Sequence, residues 1–578
     1  MAIQYIIQMA DTIILERSME SPADNTSPFT RKEVIKIKDM STSGNYSTGQ
    51  VVFETISLSN SGKWCDYTEA FITIPTVSVI SGVDVNFTAE HVKDSDMALV
   101  FKNSHLNLIN SCQIDYGNQS AVQQTDHIND YLIFKQHTEL SMQDEELHGP
   151  TIGYAKDSSR SWRWSPVNGI CNNDVGTALG VVARHSAAVN KGMFERSQVY
   201  FARDDTINGR TAIFGADDNA VKQSNRSYIV NAADHKAYYH NVIVRLKDLP
   251  LFQSMPSLLK GGNFKITLTL NQCEFKFTTA ADADAVAGVM TYTPANFQGK
   301  LTNPLMVAAN VRSVMQPKVI AAETLHESES VVVAGGSWGL PGNKTYTVSC
   351  NVARPQFSTH QALAVADCQV LNCELNVPIY TLKPAIESRY LQMGQKKVVY
   401  NEVLLHQLLN KQAGSTFNDL ITNGLTHMKR LIIIPTIASG SNGTALVDPR
   451  LSPFDTVPST CSPYILENLQ VQIANQNVYA NPVNYSYEMF LNEMNGRYGV
   501  ESSLFAGVSS SRISMQDYIE LYGYIVVDLK RKYSSDEAVP LSVSISGKVK
   551  SLKNLDLYCF IEQEKTMTID VATGQRLS

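Results

Sequence analysis

The pentapeptide Gly335-Gly336-Ser337-Trp338-Gly339 has the G-x-S-x-G form of a nucleophile elbow. That device needs a strand before the serine and a helix after it, whose N–H groups hold the oxyanion. Val331-Val332-Val333 reads as a strand, but Leu340-Pro341-Gly342-Asn343 reads as a turn, so Ser337 is expected to be a loop serine. Cys368 and Cys373 are five apart on an expected strand and so face opposite sides. No second Cys or His pair stands at zinc spacing, and His235 and His240 are separated in the same way. Asp204-Asp205 and Asp282-Ala283-Asp284 lack EF-hand spacing and read as solvated turns. Gly339 to Thr345 ends in Lys-Thr without the glycine spacing of a phosphate loop. Trp162-Arg163-Trp164 could face a ligand, but it is expected to plug the base of a loop, because tryptophan is mostly buried. None of these motifs builds a catalytic or metal site. The chain is expected not to be an enzyme and to carry no cofactor.

Chemistry of another kind is written in the bulk composition. The 578 residues exceed what one core can organise, so two or more domains are expected. Charged residues make up 18%, below the roughly 25% of ordinary soluble domains, and Ser, Thr, Asn and Gln take their place. Uncharged polar surface is cheap to desolvate, which suits a flank buried against other protein. Net charge is −7 with a pI near 6.0 and no Arg-rich arm, so sequence-specific nucleic-acid binding is not expected. The run Lys530-Arg531-Lys532 reads as a solvated strand end. Nine scattered cysteines argue for reduced thiols in an intracellular folding compartment. The N-terminus lacks the features of a secretory signal, and no apolar run is long enough to span a bilayer.

The sequence repeats itself once, at long range. Phe71-Ile72-Thr73-Ile74-Pro75-Thr76 matches Leu431-Ile432-Ile433-Ile434-Pro435-Thr436, 360 positions on. Gln113-Ile114 then matches Gln472-Ile473, Asn118-Gln119 matches Asn475-Gln476, and Tyr131 to Phe134 matches Tyr487 to Phe490. Val244-Arg245-Leu246-Lys247 returns at Val527-Asp528-Leu529-Lys530, 283 positions on. The first half therefore carries about 73 extra residues between Gln136 and His235, in a polar, turn-rich stretch that reads as long loops. Strands are expected throughout both halves: Phe264 to Leu270 and Leu541 to Ser546 alternate apolar and polar, as in a sheet with one wet face. Helices are expected at Tyr400 to Lys411, where Leu404, Leu405, Leu408 and Leu409 share a face, and at Phe417 to Asn423, the pair packed over a sheet edge. Strand following strand excludes a doubly wound parallel sheet and points to antiparallel sandwiches.

Taken together, Thr381-Leu382-Lys383-Pro384, Gln395 to Tyr400, Ala413 to Phe417, Ser452 to Pro458, Leu469 to Ile473 and Ile569 to Gly574 resemble the double jelly-roll major capsid proteins of virophages, polinton-like viruses and adintoviruses, and more distantly adenovirus hexon. The first half resembles them through Leu246 to Pro250 and Leu258 to Gly262. The resemblance implies an all-β chain of two tandem eight-stranded antiparallel jelly rolls, with long inter-strand loops and a few short helices. The expected division is an N-terminal arm over 1–49, a first jelly roll over 50–355 with a tower-like insertion at about 142–235, and a second over 356–578. It further implies a structural protein of the virion, made and assembled inside the host cell. Its partners would be two more copies in a pseudo-hexagonal homotrimer, then neighbouring capsomers and minor capsid, penton or cement proteins; contact with a membrane stays open. Ile3, Tyr5, Ile6, Ile7, Ile13, Ile14 and Leu15 need a partner to bury against and are the expected assembly residues. A lectin-like binding protein using the long loops is the alternative.

Overall fold

The structure is a computed structural model that describes residues 28–40, 49–59, 62–82, 96–117, 119–157, 196, 201–202, 227–231, 234–279, 287–293, 303–310, 330–334, 345–352, 372–392, 394–438, 466–495, 513–520, 522–531, 540–551 and 554–577. Sixteen strands carry its two cores. Those of the first half are β1 (Phe29–Lys38), β2 (Gln50–Glu54), β3 (Phe71–Gly82), β4 (Ile109–Tyr116), β5 (Gln119–Thr125), β6 (His235–Arg245), β7 (Phe264–Leu270) and β8 (Glu374–Leu382). Those of the second are β9 (Gln395–Lys411), β10 (Thr416–Leu425), β11 (Met428–Ile437), β12 (Leu466–Ile473), β13 (Gln476–Asn477), β14 (Ile525–Asp528), β15 (Leu541–Val549) and β16 (Leu555–Asp570).

Hydrogen bonding orders the first half as β1-β8-β3-β6 and β2-β7-β4-β5. The second half is ordered β9-β16-β11-β14 and β10-β15-β12-β13. Counted by rank within each half, the two orders are identical: 1-8-3-6 facing 2-7-4-5. The expected duplicated, antiparallel double jelly roll is therefore the fold. Alternation drives it locally: β7 buries every second residue from Phe264 to Leu270, and β15 does so from Val543 to Val549.

Both helices expected in the second half are strands. Residues 400–411 belong to β9, which pairs with β16 from Gln395↔Asp570 to Lys411↔Leu555. Leucines at spacings of one and four fit a strand with both faces partly covered as well as they fit a helix, and pairing along a 16-residue neighbour decides for the strand. Residues 417–423 lie in β10, paired with β15. Helices stand elsewhere: α1 (Ile128–Glu139), α2 (Met142–Ile152), α3 (Pro384–Leu391), α4 (Tyr487–Asn495) and α5 (Met515–Glu520). Helix α1 covers Tyr131 to Phe134 and α4 covers Tyr487 to Phe490, so that repeat matches helix to helix. Helix α5 ends at Glu520, and β14 follows from Ile525. Among the described residues, no helix is long and apolar enough to cross a membrane.

Sheet membership runs past both expected domain limits. Strand β1 lies inside the arm expected over 1–49, yet it pairs with β8 from Phe29↔Leu382 to Lys38↔Glu374. Strand β8 lies beyond the limit expected near Pro355, yet it pairs with β3. The register also moves the Ile-Pro-Thr match by one residue. Phe71 faces Arg245 and Asn376, whereas the residue facing Asp528 and Glu562 is Arg430, not Leu431. Ile72 therefore corresponds to Leu431, 359 positions on, which is also the spacing from Gln113 to Gln472. A slip of one residue exchanges the two faces of a strand, so this correction decides which residues face the sandwich interior.

Candidate assembly seam between the halves

The two jelly rolls meet along a heterologous seam: helix α1 of the first half lies on the outer face of the second half's β9-β16-β11-β14 sheet. Where β5 ends, the Thr125 hydroxyl donates to the Val403 carbonyl at 2.6 Å. His127 turns the chain in the left-handed region (φ 49°) and sets its ring against Tyr558, 5.4 Å between centroids. One turn on, the Tyr131 hydroxyl donates to Glu562 Oε1 at 2.9 Å, and its ring lies 6.0 Å from Phe560. Phe134 meets Tyr524 edge-on at 5.0 Å, and His137 Nδ1 lies 3.0 Å from the Tyr524 hydroxyl. Beyond the helix, the Tyr522 hydroxyl donates to the Asp157 carbonyl at 3.0 Å, and Lys156 pairs with Asp517 at 3.2 Å. Arg196 pairs with Asp157 at 3.1 Å and donates to the Ala155 carbonyl.

The far end of the seam is closed by the chain's last turn. Gly574 sits at φ +63°, and a Cβ there would lie 2.0 Å from the Lys260 carbonyl oxygen. The Tyr116 hydroxyl donates to the Gly574 carbonyl at 2.8 Å. Val571 packs in an apolar cluster with Trp64, Leu258, Leu382 and Tyr390. Glu387 of α3 accepts from the Trp64 indole at 3.3 Å and from Lys260 at 3.0 Å.

Electrostatics follow from this burial. Burial works to raise the Glu562 carboxyl, but the charges of Arg430, Lys135 and Lys429 and the Tyr131 hydrogen bond hold it below the ordinary carboxylate range. Desolvation, then the Glu562 charge, pushes Tyr131 well above the ordinary phenol value of 10.0. Tyr522 and Tyr524 are raised by burial as well. A folded value above the unfolded one means that stability is complete below about pH 10 and is lost as pH rises further. An alkaline titration read by phenolate absorbance should show these tyrosines ionising together with loss of near-ultraviolet circular dichroism. Independent, non-cooperative ionisation of them would contradict the packed seam.

The motifs weighed in the sequence fall apart in space or lie outside the described residues. Ser337, Cys368, Trp162 to Trp164, Asp204-Asp205 and Asp282 to Asp284 lie outside them, as do all seven expected assembly residues: Ile3, Tyr5, Ile6, Ile7, Ile13, Ile14 and Leu15. Val331 to Val333 do lie in a strand, Ser330–Ala334. Cys373 is a buried cysteine, and His235 is buried beside Asp234 at 2.7 Å. Burial pushes the thiols of Cys65, Cys112, Cys350 and Cys559 up to about 12, which makes them poor nucleophiles. Among the described residues no group of three or more His, Cys, Asp or Glu could hold a metal. Glu562 and Arg430 carry no signal in the sequence; Gly574 enters only as the end of the resembling stretch Ile569 to Gly574, and Tyr131 and Phe134 as members of the repeat.

No family model matches the chain, and no curated protein matches it. Solved structures do. A chain in the cryo-EM structure of the Sputnik virophage is 10% identical, with a TM-score of 0.50 over 96% of this chain and 89% of that one. The mavirus major capsid protein aligns at 9% identity and a TM-score of 0.42, covering 94% and 89% of the two chains. The Faustovirus major capsid protein aligns at 10% identity and a TM-score of 0.42, covering 96% of each. At these identities the likeness to the Sputnik chain is one of fold, and it agrees with the strand orders given above. The lectin-like alternative finds no support among these neighbours.

Proposed function

We propose that this chain is the structural subunit of an icosahedral virus shell, a major capsid protein of a DNA virus acting as a pseudo-hexagonal homotrimer rather than as an enzyme. The observation that carries this reading is the duplication itself: two sandwiches of one strand order, joined in one chain by a buried, hydrogen-bonded seam. Three such chains present six similar domains around an axis, the footprint of a tile that packs in flat arrays. Heterologous contacts of this type close into rings when the rotation between units allows it. Sheet membership supports a division between Leu382 and Gln395, with β1 counted in the first jelly roll. The insertion at about 142–235, anchored at the seam through Lys156, Asp157 and Arg196, would rise beyond them as a tower. The apolar segment holding Ile3, Tyr5, Ile6, Ile7, Ile13, Ile14 and Leu15 would bury against a neighbour or toward the shell interior. Further partners are neighbouring capsomers and minor capsid, penton or cement proteins, with the virion as the destination.

Light scattering after size exclusion of the full chain tests this. The expected species has three times the 63.8 kDa chain mass and appears as a near-hexagonal particle in negative stain. A stable monomer across the micromolar range would overturn the reading.

A further inference from the structure

One cation at the seam is left over when the charges there are paired. Lys429 is the extra residue of a bulge at the start of β11: Met428 faces Gln563 and Arg430 faces Glu562, so the strand takes two steps to one of β16. His427 ahead of it lies in the left-handed region (φ 49°), and its carbonyl accepts from the Glu564 N–H at 3.0 Å. Neighbours on a regular strand point to opposite faces, yet Lys429 and Arg430 both act on the buried Glu562 carboxylate. The bulge thus brings two successive cations to one place. Lys135 of α1 and Lys530, after β14, stand close enough to act on Lys429 as well. Three of the four are matched: Lys135 with Glu139 at 3.0 Å, Lys530 with Glu564 at 3.5 Å, and Arg430 with Glu562 at 3.9 Å, the last also in the field of Glu139 and Asp528. The Lys429 amine makes neither a hydrogen bond nor an ion pair among the described residues. Burial holds it below its ordinary value of 10.5; Glu562 opposes that shift, and Arg430, Lys530 and Lys135 add to it.

We propose that Lys429, flanked by Lys135 and Lys530, binds a small phosphate-type oxyanion, free phosphate or pyrophosphate, taken from solvent. A half-buried ammonium set among other cations is costly without a counter-ion. A multivalent oxyanion can accept from several ammonium groups at once, and lysine meets phosphate as a point charge. The fold does not require this charge. Register sets Ala70, next to Phe71, where Lys429 stands, and Asn376 where Glu562 stands. The cluster therefore belongs to one half only and is not a by-product of the duplication. Access comes from the rim: Glu139 is 49% exposed and Lys530 36%, while Lys135 behind them is 12% exposed. The same rim limits the ligand's size, since Glu139 and Glu564 repel a long polyanion such as a nucleic-acid backbone. Lys135 belongs to the first half, and Lys429 and Lys530 to the second. The bound ion would thus tie the two halves together at the seam. The inference stands on the seam alone and not on the shell reading.

Calorimetric titration of the full chain with pyrophosphate, read beside thermal melts in pyrophosphate and in chloride at matched ionic strength, tests it. Wild type should bind pyrophosphate saturably and melt higher in its presence, because a ligand of the folded state stabilises that state. Lys429→Met should weaken binding on the order of tenfold, the loss of one charge-assisted hydrogen bond, and Lys429→Arg should keep most of it. Lys530→Met changes only the exposed rim and leaves the bulge intact, so it reads the same site whether or not the Lys429 variants fold. It should weaken binding about threefold or more. Lys548→Met, on β15, should match wild type. Equal wild-type melts in pyrophosphate and chloride, or binding that Lys429→Met and Lys530→Met leave unchanged, overturn the assignment. A single-stranded oligonucleotide that raises the melt as much as pyrophosphate at equal phosphate concentration overturns the small-ion choice.

Discussion

Gly574→Val is expected to unseat the last turn of the chain and lower the unfolding free energy by about 3 kcal/mol or more, from left-handed strain of roughly 1–2 kcal/mol plus a steric clash. The glycine is required twice over. Its φ of +63° is one that a β-branched residue avoids, and its missing Cβ is what lets Lys260 approach, since a Cβ would lie 2.0 Å from that carbonyl. The turn cannot yield locally. Its own hydrogen bonds, Gly574 N–H to the Asp570 carbonyl at 2.8 Å and Asp570 N–H to the Gln575 carbonyl at 2.9 Å, fix its shape. Moving it away would break the Tyr116 bond and expose Val571. Gly414→Ala is the control: φ is +72° there, but nothing lies within 4 Å of the added carbon. It should cost only the backbone term, about 1 kcal/mol. Urea unfolding at neutral pH measures both. Equal midpoints for Gly574→Val and wild type would show that the turn does not clamp the halves.

Arg430→Met should destabilise the chain by about 2–3 kcal/mol, because it removes the largest of the charges that offset the burial of the Glu562 carboxylate and leaves Lys135, Lys429 and the Tyr131 hydroxyl to hold it. Arg430 Nε lies 3.9 Å from Glu562 Oε2, and both side chains are largely covered. The double variant Arg430→Met/Glu562→Leu should recover most of that loss, since matched apolar groups replace a buried pair at little cost. The pH dependence gives an independent reading. Glu562 is held below its ordinary value of 4.5, so its contribution is present above about 4.5 and is lost as pH falls through the lower folded value. Wild type should therefore show an acid limb that the double variant lacks. Were the single and double variants equally destabilised, the pair would not be coupled.

The duplication is readable in the sequence because its matches fall on the third to sixth strands and on the helix between the fifth and sixth, where packing against one core repeats the same demands. What misled was local pattern without pairing information. Leu404, Leu405, Leu408 and Leu409 satisfy a helix face, yet alternate residues of β9 serve two faces: Leu408 is buried and Leu409 is 53% exposed. The Ile-Pro-Thr match erred for a related reason. Leu431 to Ile434 are all buried because one face meets the sandwich core and the other meets α1, so the run has no alternation by which to fix its register. Phe71 to Pro75 do alternate, their outer face being only partly covered. The seam residues were hidden for the same cause. Tyr131 and Glu562 are 431 positions apart, and nothing local in either segment announces the other.

Joining both sandwiches in one polypeptide has a kinetic consequence. In the ring proposed above, six separate sandwiches would need five associations to close, each losing translational and rotational freedom. Three fused pairs need two. The remaining seams form inside each chain at an effective concentration set by the short link between Leu382 and Gln395, not by the amount of protein in solution. Dilution should therefore separate intact chains before it opens any chain along its own seam.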